Sequence, residues 1–191
     1  MTIIFLTMSS VNEKNLLLLG ILHSEDMHGY QLNQFLKHPS NAIRIGKANA
    51  YQLLAKLEDQ GFVYHVEQRD GNRPPRQVYS ITPAGETEML RLVKDQLGDY
   101  QPIDSPGSIP LNFIELIKPQ EALSLLQQRQ ARLAVHCEAF ADFSDEIRAS
   151  HPGIDFLVRQ TALEQEFLTK LVEEYQHKQK DDNDGEPKPQ D

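Results

Sequence analysis

Asn49, Gln52 and Lys56 project from the polar side of one predicted helix, and Arg69, Arg73 and Arg76 crowd the loop that follows it. These residue types are suited to recognition. Carboxamides can pair with adenine edges, and a lysine can reach guanine or a phosphate. Arginines on a stiff loop suit phosphates or a narrow minor groove. Taken alone, exposed amides on a helix are more often a solvated face. What precedes and follows them carries the stronger reading.

The reactive groups elsewhere make a weaker case. His23, Glu25, Asp26 and His28 invite a metal, but their spacing matches no standard zinc ligand set and suits a polar interhelical loop. His136 and Cys137 are neighbours on one helix and point ~100° apart, which places Cys137 on an apolar seam as a structural thiol. Glu173-Glu174 reads as solvated helix charge, and no Gly-rich phosphate loop is present. The sequence thus points to no catalytic residue, metal, cofactor or enzyme activity, and it assigns no ligand site. Phe113, His136, Phe140 and Phe156 read first as core or interface residues.

The recognition residues need a scaffold. The helix that carries them is predicted from about Lys47 to Gln60 and stops at Gly61. Ala50, Leu54 and Leu57 fall on one face with Leu53 beside them, so Gln52 and Lys56 point away and Asn49 lies at the margin. Tyr51 flanks the apolar stripe and reads as half-buried packing whose phenol could touch a phosphate. Phe62, Tyr64 and Val66 alternate with Val63, His65 and Glu67 as a strand, and residues 77–81 form its partner. Between them Asp70-Gly71-Asn72 has turn chemistry and Pro74-Pro75 is stiff, which favours Arg76 over a merely soluble loop charge.

Ahead of this unit, Ser10-Val11-Asn12-Glu13 fits a capping box opening a Leu-rich helix to Ser24. A short helix from about His28 ends before Pro39, and Ile43 to Ile45 reads as extended. After it, Thr82-Pro83 caps a helix to about Leu97. Residues 98–118 hold Pro102, Pro106 and Pro110 and read as a linker ending in a brief apolar segment. One long helix is expected from Pro119 to about Ile147, with Leu123, Leu126, Leu133, Cys137 and Phe140 on a seam. Another is expected from about Asp155 to Lys178, with Leu163, Phe167, Leu171 and Tyr175 four apart. The polar tail from Asp181 reads as disordered.

Composition sets the limits. The 191 residues allow one or two domains, and 39% hydrophobic content suffices for a packed core. A single cysteine excludes an internal disulfide framework and suits a reducing cytoplasm. The apolar run from Ile3 to Leu6 lacks a basic flank and is far short of the ~18 residues of a membrane span, so residues 1–11 read as an N-terminal extension. Net charge is -9, concentrated in the second half: residues 1–100 hold ten Lys and Arg against eleven Asp and Glu, and the remainder hold nine against seventeen. From Lys37 to Arg76 the balance reverses, with seven bases and four acids. Acidity in a remote half is screened over ~8 Å at physiological salt and does not forbid a polyanionic partner.

Four stretches in this order and spacing resemble the PadR family of bacterial transcription regulators, the phenolic-acid-decarboxylase-regulator type. They are Leu18-Leu19-Gly20-Ile21-Leu22, His28-Gly29-Tyr30-Gln31-Leu32, Tyr51 through Phe62, and Pro74 through Gly85. Together they span most of residues 12–97. The chain departs from the family pattern at Lys47-Ala48-Asn49, where relatives are richer in Ser, Pro, Gly and Thr.

The expected fold is mainly α with a small β-hairpin wing: an N-terminal winged helix-turn-helix over residues 12–97 and a C-terminal helical dimerisation domain over 119–180. The resemblance implies a homodimer that binds double-stranded DNA at a pseudo-palindromic operator, a repressor released by a small ligand or another signal. Expected DNA contacts are Lys47, Asn49, Tyr51, Gln52, Lys56, Arg73 and Arg76. Expected dimer contacts are Leu123, Leu126, Leu133, Cys137, Phe140, Leu163, Phe167 and Leu171. The competing reading is a winged-helix module that binds proteins without reading DNA sequence.

Overall fold

The computed structural model of the chain describes residues 3–38, 43–69, 75–100, 105–141 and 143–185. The chain divides into two compact units, Met1–Pro102 and Ile103–Asp191.

In the first unit, α1 (Ile3–Ser24) is followed by a two-residue strand β1 (Met27–His28), α2 (Gly29–Leu36), α3 (Lys47–Asp59), the hairpin β2 (Val63–Gln68) and β3 (Arg76–Ile81), and α4 (Pro83–Leu97). The sheet is antiparallel in the order β1-β3-β2. As the central strand, β3 has Val78, Tyr79 and Ser80 all buried. Leu18, Leu19 and Leu22 of α1, Leu32 and Leu36 of α2, Leu53, Leu54 and Leu57 of α3, and Leu92 of α4 converge on one core. Truncating a fully buried leucine of this kind to alanine costs about 2–5 kcal/mol.

Two expectations need correction here. The first helix begins at Ile3, so Ser10 lies inside it and is not its N-cap. The run before Ser10 contains no Pro or Gly to stop the helix extending backwards. The polar break before α2 also conceals a strand, because Met27 pairs with Tyr79 and its side chain is buried. The alternation read for β2 resolves with the face carrying Val63 toward the core, while Tyr64 and Val66 lie half exposed. By contrast, α3 ends as its stop predicts, with Gly61 at φ 76°. The Thr82 cap of α4 also forms, its Oγ1 accepting from the Gly85 amide at 3.0 Å.

The second unit holds a 3₁₀ helix (Pro106–Leu116), α5 (Pro119–Glu138), α6 (Asp145–Ser150) and α7 (Pro152–Gly185). Its core is Ala122, Leu123, Leu126 and Leu133 of α5 against Leu168, Val172 and Tyr175 of α7, with Leu111, Ile114 and Ile117 packed on it. The stretch read as a linker therefore contains a helix that contributes to this core. Tyr175 donates to Glu115 Oε1 at 2.9 Å and Lys178 donates to the same oxygen at 2.8 Å, which pins the 3₁₀ helix to α7.

The single helix expected from Pro119 to Ile147 is instead two. α5 stops at Glu138, Phe140 turns inward and meets the His136 ring edge-on at 5.4 Å, and Ser144 caps α6 by accepting from the Ile147 amide at 3.3 Å. Asp145 and Glu146 in the first turn of α6 favour that restart through the helix dipole. At the far end α7 runs through Gly185, past the point where the sequence reads as disordered. Residues 186–191 lie outside the described residues.

Candidate nucleic-acid interface

α3 buries Ala50, Leu53, Leu54 and Leu57, and the same periodicity leaves Lys47, Asn49, Gln52 and Lys56 exposed. Asn49, Gln52 and Lys56 thus form a face free of the unit's own core, and Lys47 stands exposed on the Tyr51 side at the start of the helix. Lys47 Nζ lies 6.0 Å from the centre of the Tyr51 ring. Tyr51 is half-buried, and its ring closes over Gly29, where a Cβ would come within 2.6 Å of the phenolic oxygen. Tyr51 is therefore first a strut between α3 and the start of α2, and Gly29 is the residue that admits it.

A cleft opens where α2, α3 and the hairpin meet, lined by His28, Tyr30, Tyr51, Glu67, Arg76 and Gln77 among others. The backbone amide of His28 donates to Gln31 Oε1 at 3.0 Å, closing the first turn of α2. Tyr30 is exposed, its hydroxyl accepting from Gln34 Nε2 at 2.7 Å. Arg76 opens β3 opposite Gln68 and is exposed. Arg73 lies outside the described residues.

Four groups that the residue pattern did not single out link α3 to the hairpin. Glu58, in the last turn of α3, accepts from the His65 amide at 3.0 Å and from His65 Nδ1 at 2.8 and 3.0 Å. The His65 ring lies 5.5 Å from that of Tyr79, its partner across the ladder. Tyr79 donates its hydroxyl proton to Gln77 Oε1 at 2.9 Å, and Gln77 Nε2 lies 3.5 Å from His65 Nε2. Burial pushes the Tyr79 phenol above its ordinary value, and the nearby Tyr51 and Glu58 add to the effect. The signal available in the sequence was the strand period, which puts His65, Gln77 and Tyr79 on one face once the register is known.

The residues expected at a dimer seam separate in space. Leu123, Leu126, Leu133 and Phe140 are buried within the second unit, and Cys137 and Leu171 are half-buried. Leu163 and Phe167 are 67% and 51% exposed. Cys137 Sγ approaches Gln165 Oε1 at 3.8 Å, and burial pushes its thiol up, which works against nucleophilic use. His23 lies 3.5 Å from Glu86. Among the described residues no three His, Cys, Asp or Glu are placed to hold a metal ion, and no helix is long and apolar enough to cross a membrane.

Residues 18–91 match the model of the Transcriptional regulator PadR-like family. The Negative transcriptional regulator PadR of Bacillus subtilis (strain 168) is 29% identical over 126 residues, 61% of this chain and 67% of that protein. Among solved structures, Bacillus subtilis PadR in complex with operator DNA superposes with a TM-score of 0.67 at 18% identity, covering 84% of this chain and 98% of that one. The same protein in complex with p-coumaric acid superposes with a TM-score of 0.60 at 18% identity, covering 85% and 98%. At these identities the superpositions establish a shared fold.

Proposed function

From the match of residues 18–91 to the Transcriptional regulator PadR-like family, we propose a dimeric repressor that reads an operator with α3. The observation that carries the reading is the exposed face of Asn49, Gln52 and Lys56, with Lys47 exposed at the start of the helix, set beside a hairpin whose outer end presents Arg76. Asn49 and Gln52 supply base-edge chemistry, and Lys47 and Lys56 supply charge. Arg76, with Arg73 at the wing, contacts the backbone and fixes register without reading bases. Tyr51 contributes by holding α3 against α2.

The modest basic surface needs reinforcement, which dimerisation provides by engaging two half-sites at once. Leu163 and Phe167, with the half-buried Leu171, offer the apolar surface for a second copy, while Leu123, Leu126, Leu133, Cys137 and Phe140 support it from within. The relative from Bacillus subtilis has been solved both with operator DNA and with p-coumaric acid. By that analogy a small molecule releases this chain from its site. The protein acts in the cytoplasm without catalysis, a reading supported by the inert setting of Cys137.

Selection of bound fragments from genomic DNA, followed by sequencing, tests this reading. The expected product is a pseudo-palindrome with half-sites about one helical turn, ~10 bp, apart. Affinity for it should fall with salt by ~0.9 in log K per phosphate neutralised. A protein that enriches no sequence at low salt, yet captures a protein partner, is instead a winged-helix interaction module.

A further inference from the structure

We propose that Glu58, His65, Gln77 and Tyr79 form a positioning relay that holds the wing at a set attitude to α3, with His65 governing the wing's share of DNA binding from a place where it need not touch DNA. The inference rests on the reading of α3 and the hairpin as the DNA-binding elements. It adds residues to which no role in that binding has been assigned.

The bonds run in one direction. Tyr79 donates to the Gln77 carbonyl oxygen, which turns the Gln77 amide nitrogen toward His65 Nε2, and His65 Nδ1–H donates to both Glu58 oxygens. That order requires the His65 tautomer protonated at Nδ1, the form that the two short contacts to a carboxylate also select. The backbone amide of His65 donates to Glu58 as well, so the strand itself is tethered and not only its side chain. Glu58 stands in the last turn of α3, where the helix dipole disfavours a carboxylate. Two donors from His65 supply a reason for its being there.

The position of the relay gives it leverage. Val63 and Tyr79 anchor the base of the hairpin in the core. Beyond the Val66–Val78 rung every described residue is exposed, from Glu67 to Arg69 and from Pro75 to Gln77. Among the described residues packing therefore stops at that rung, and the polar chain through Gln77 continues outward from it. Its Glu58 end lies two residues from Lys56, and its Gln77 link lies beside Arg76. It thus links a residue near the base-reading face to the residue next to the wing's arginine.

The test is a double-mutant cycle on the full chain, using a duplex that carries the fragment most enriched by genomic selection. His65→Phe keeps a ring against Tyr79 and removes both polar ends. Arg76→Ala should lower affinity ~10-fold and reduce the salt slope by about 1. His65→Phe should reproduce most of both effects, and adding Arg76→Ala to it should lower affinity by less than ~2-fold more. His65→Asn, which can keep a donor toward Glu58, should recover part of the loss. Simple loss of stability would leave the salt slope unchanged.

Should His65→Phe fail to fold, Gln77→Ala cuts the relay at an exposed residue and should show the same non-additivity with Arg76→Ala. Full additivity in either cycle, or an inert Arg76→Ala, overturns the relay while leaving DNA binding intact. A wild-type chain that selects no DNA overturns the functional reading itself.

Discussion

A Cβ on Gly85 would fall inside the van der Waals contact distance of the Phe62 carbonyl oxygen. That oxygen is held in place, because it accepts from the Thr82 amide at 2.9 Å. The start of α4 is thus seated directly on the backbone that leads into β2. Gly85→Ala should destabilise the first unit by about 3 kcal/mol or more, the upper range for overpacking. Gly20→Ala, in α1 with nothing within 4 Å of where the new methyl would stand, should instead stabilise by ~0.5–1 kcal/mol. Denaturant midpoints of the two variants should move in opposite directions, and a shared sign would refute the packing argument.

On the exposed face of α3, residue chemistry separates two effects. Gln52→Ala should change which base is preferred at one position of each half-site, by ~1–3 kcal/mol of discrimination. Lys56→Ala, if its partner is a phosphate, should weaken binding to matched and shuffled duplexes alike and reduce the salt slope. Titrations at two salt concentrations distinguish the outcomes. A uniform loss from Gln52→Ala would remove it from base reading.

In the second unit the contrast lies between neighbours. Leu168 is fully buried against α5, whereas Phe167 and Leu163 are exposed. The pair Leu163→Asp and Phe167→Asp should give a folded monomer in sedimentation experiments, with helical content retained. Leu168→Ala should lower stability by about 2–5 kcal/mol without creating a folded monomer. A dimer that survives both aspartates would place the interface elsewhere.

Alkaline pH provides a test for Tyr79. Its pKa is raised in the folded state, first by burial, so the fold favours the protonated phenol. The corresponding stability is fully present below the ordinary value of 10.0 and is lost as pH rises through the folded value. Tyr79→Phe should be less stable near neutrality by ~1 kcal/mol, having lost its bond to Gln77. Its stability should then fall less steeply than the wild type's once the pH passes 10.0, the ordinary phenol value. Parallel alkaline limbs would show that Tyr79 does not ionise in that range.

The parts legible from residues alone are those whose energy is settled within a turn or two of chain. Gly61 ends α3 because a left-handed backbone there suits glycine, and Thr82-Pro83 starts α4 because the threonine hydroxyl caps an amide of the helix it opens. The polar and apolar sides of α3 follow from a period of 3.6 residues. Tertiary structure decided what depends on a distant partner. β1 is only two residues long and exists because β3 lies beside it. α7 offers two adjacent apolar stripes, and the helix period permits either to face inward. Packing against α5 buries Leu168, Val172 and Tyr175 and leaves Leu163 and Phe167 to solvent. α5 ends at Glu138, and the burial of Phe140 just past that end is likewise a tertiary outcome. The same holds at the candidate interface. Lys56 and Arg76 announce themselves by type, whereas Glu58 and His65 acquire a role only when the fold brings a helix end and a strand together, 2.8 Å apart at the nearest atoms of the pair.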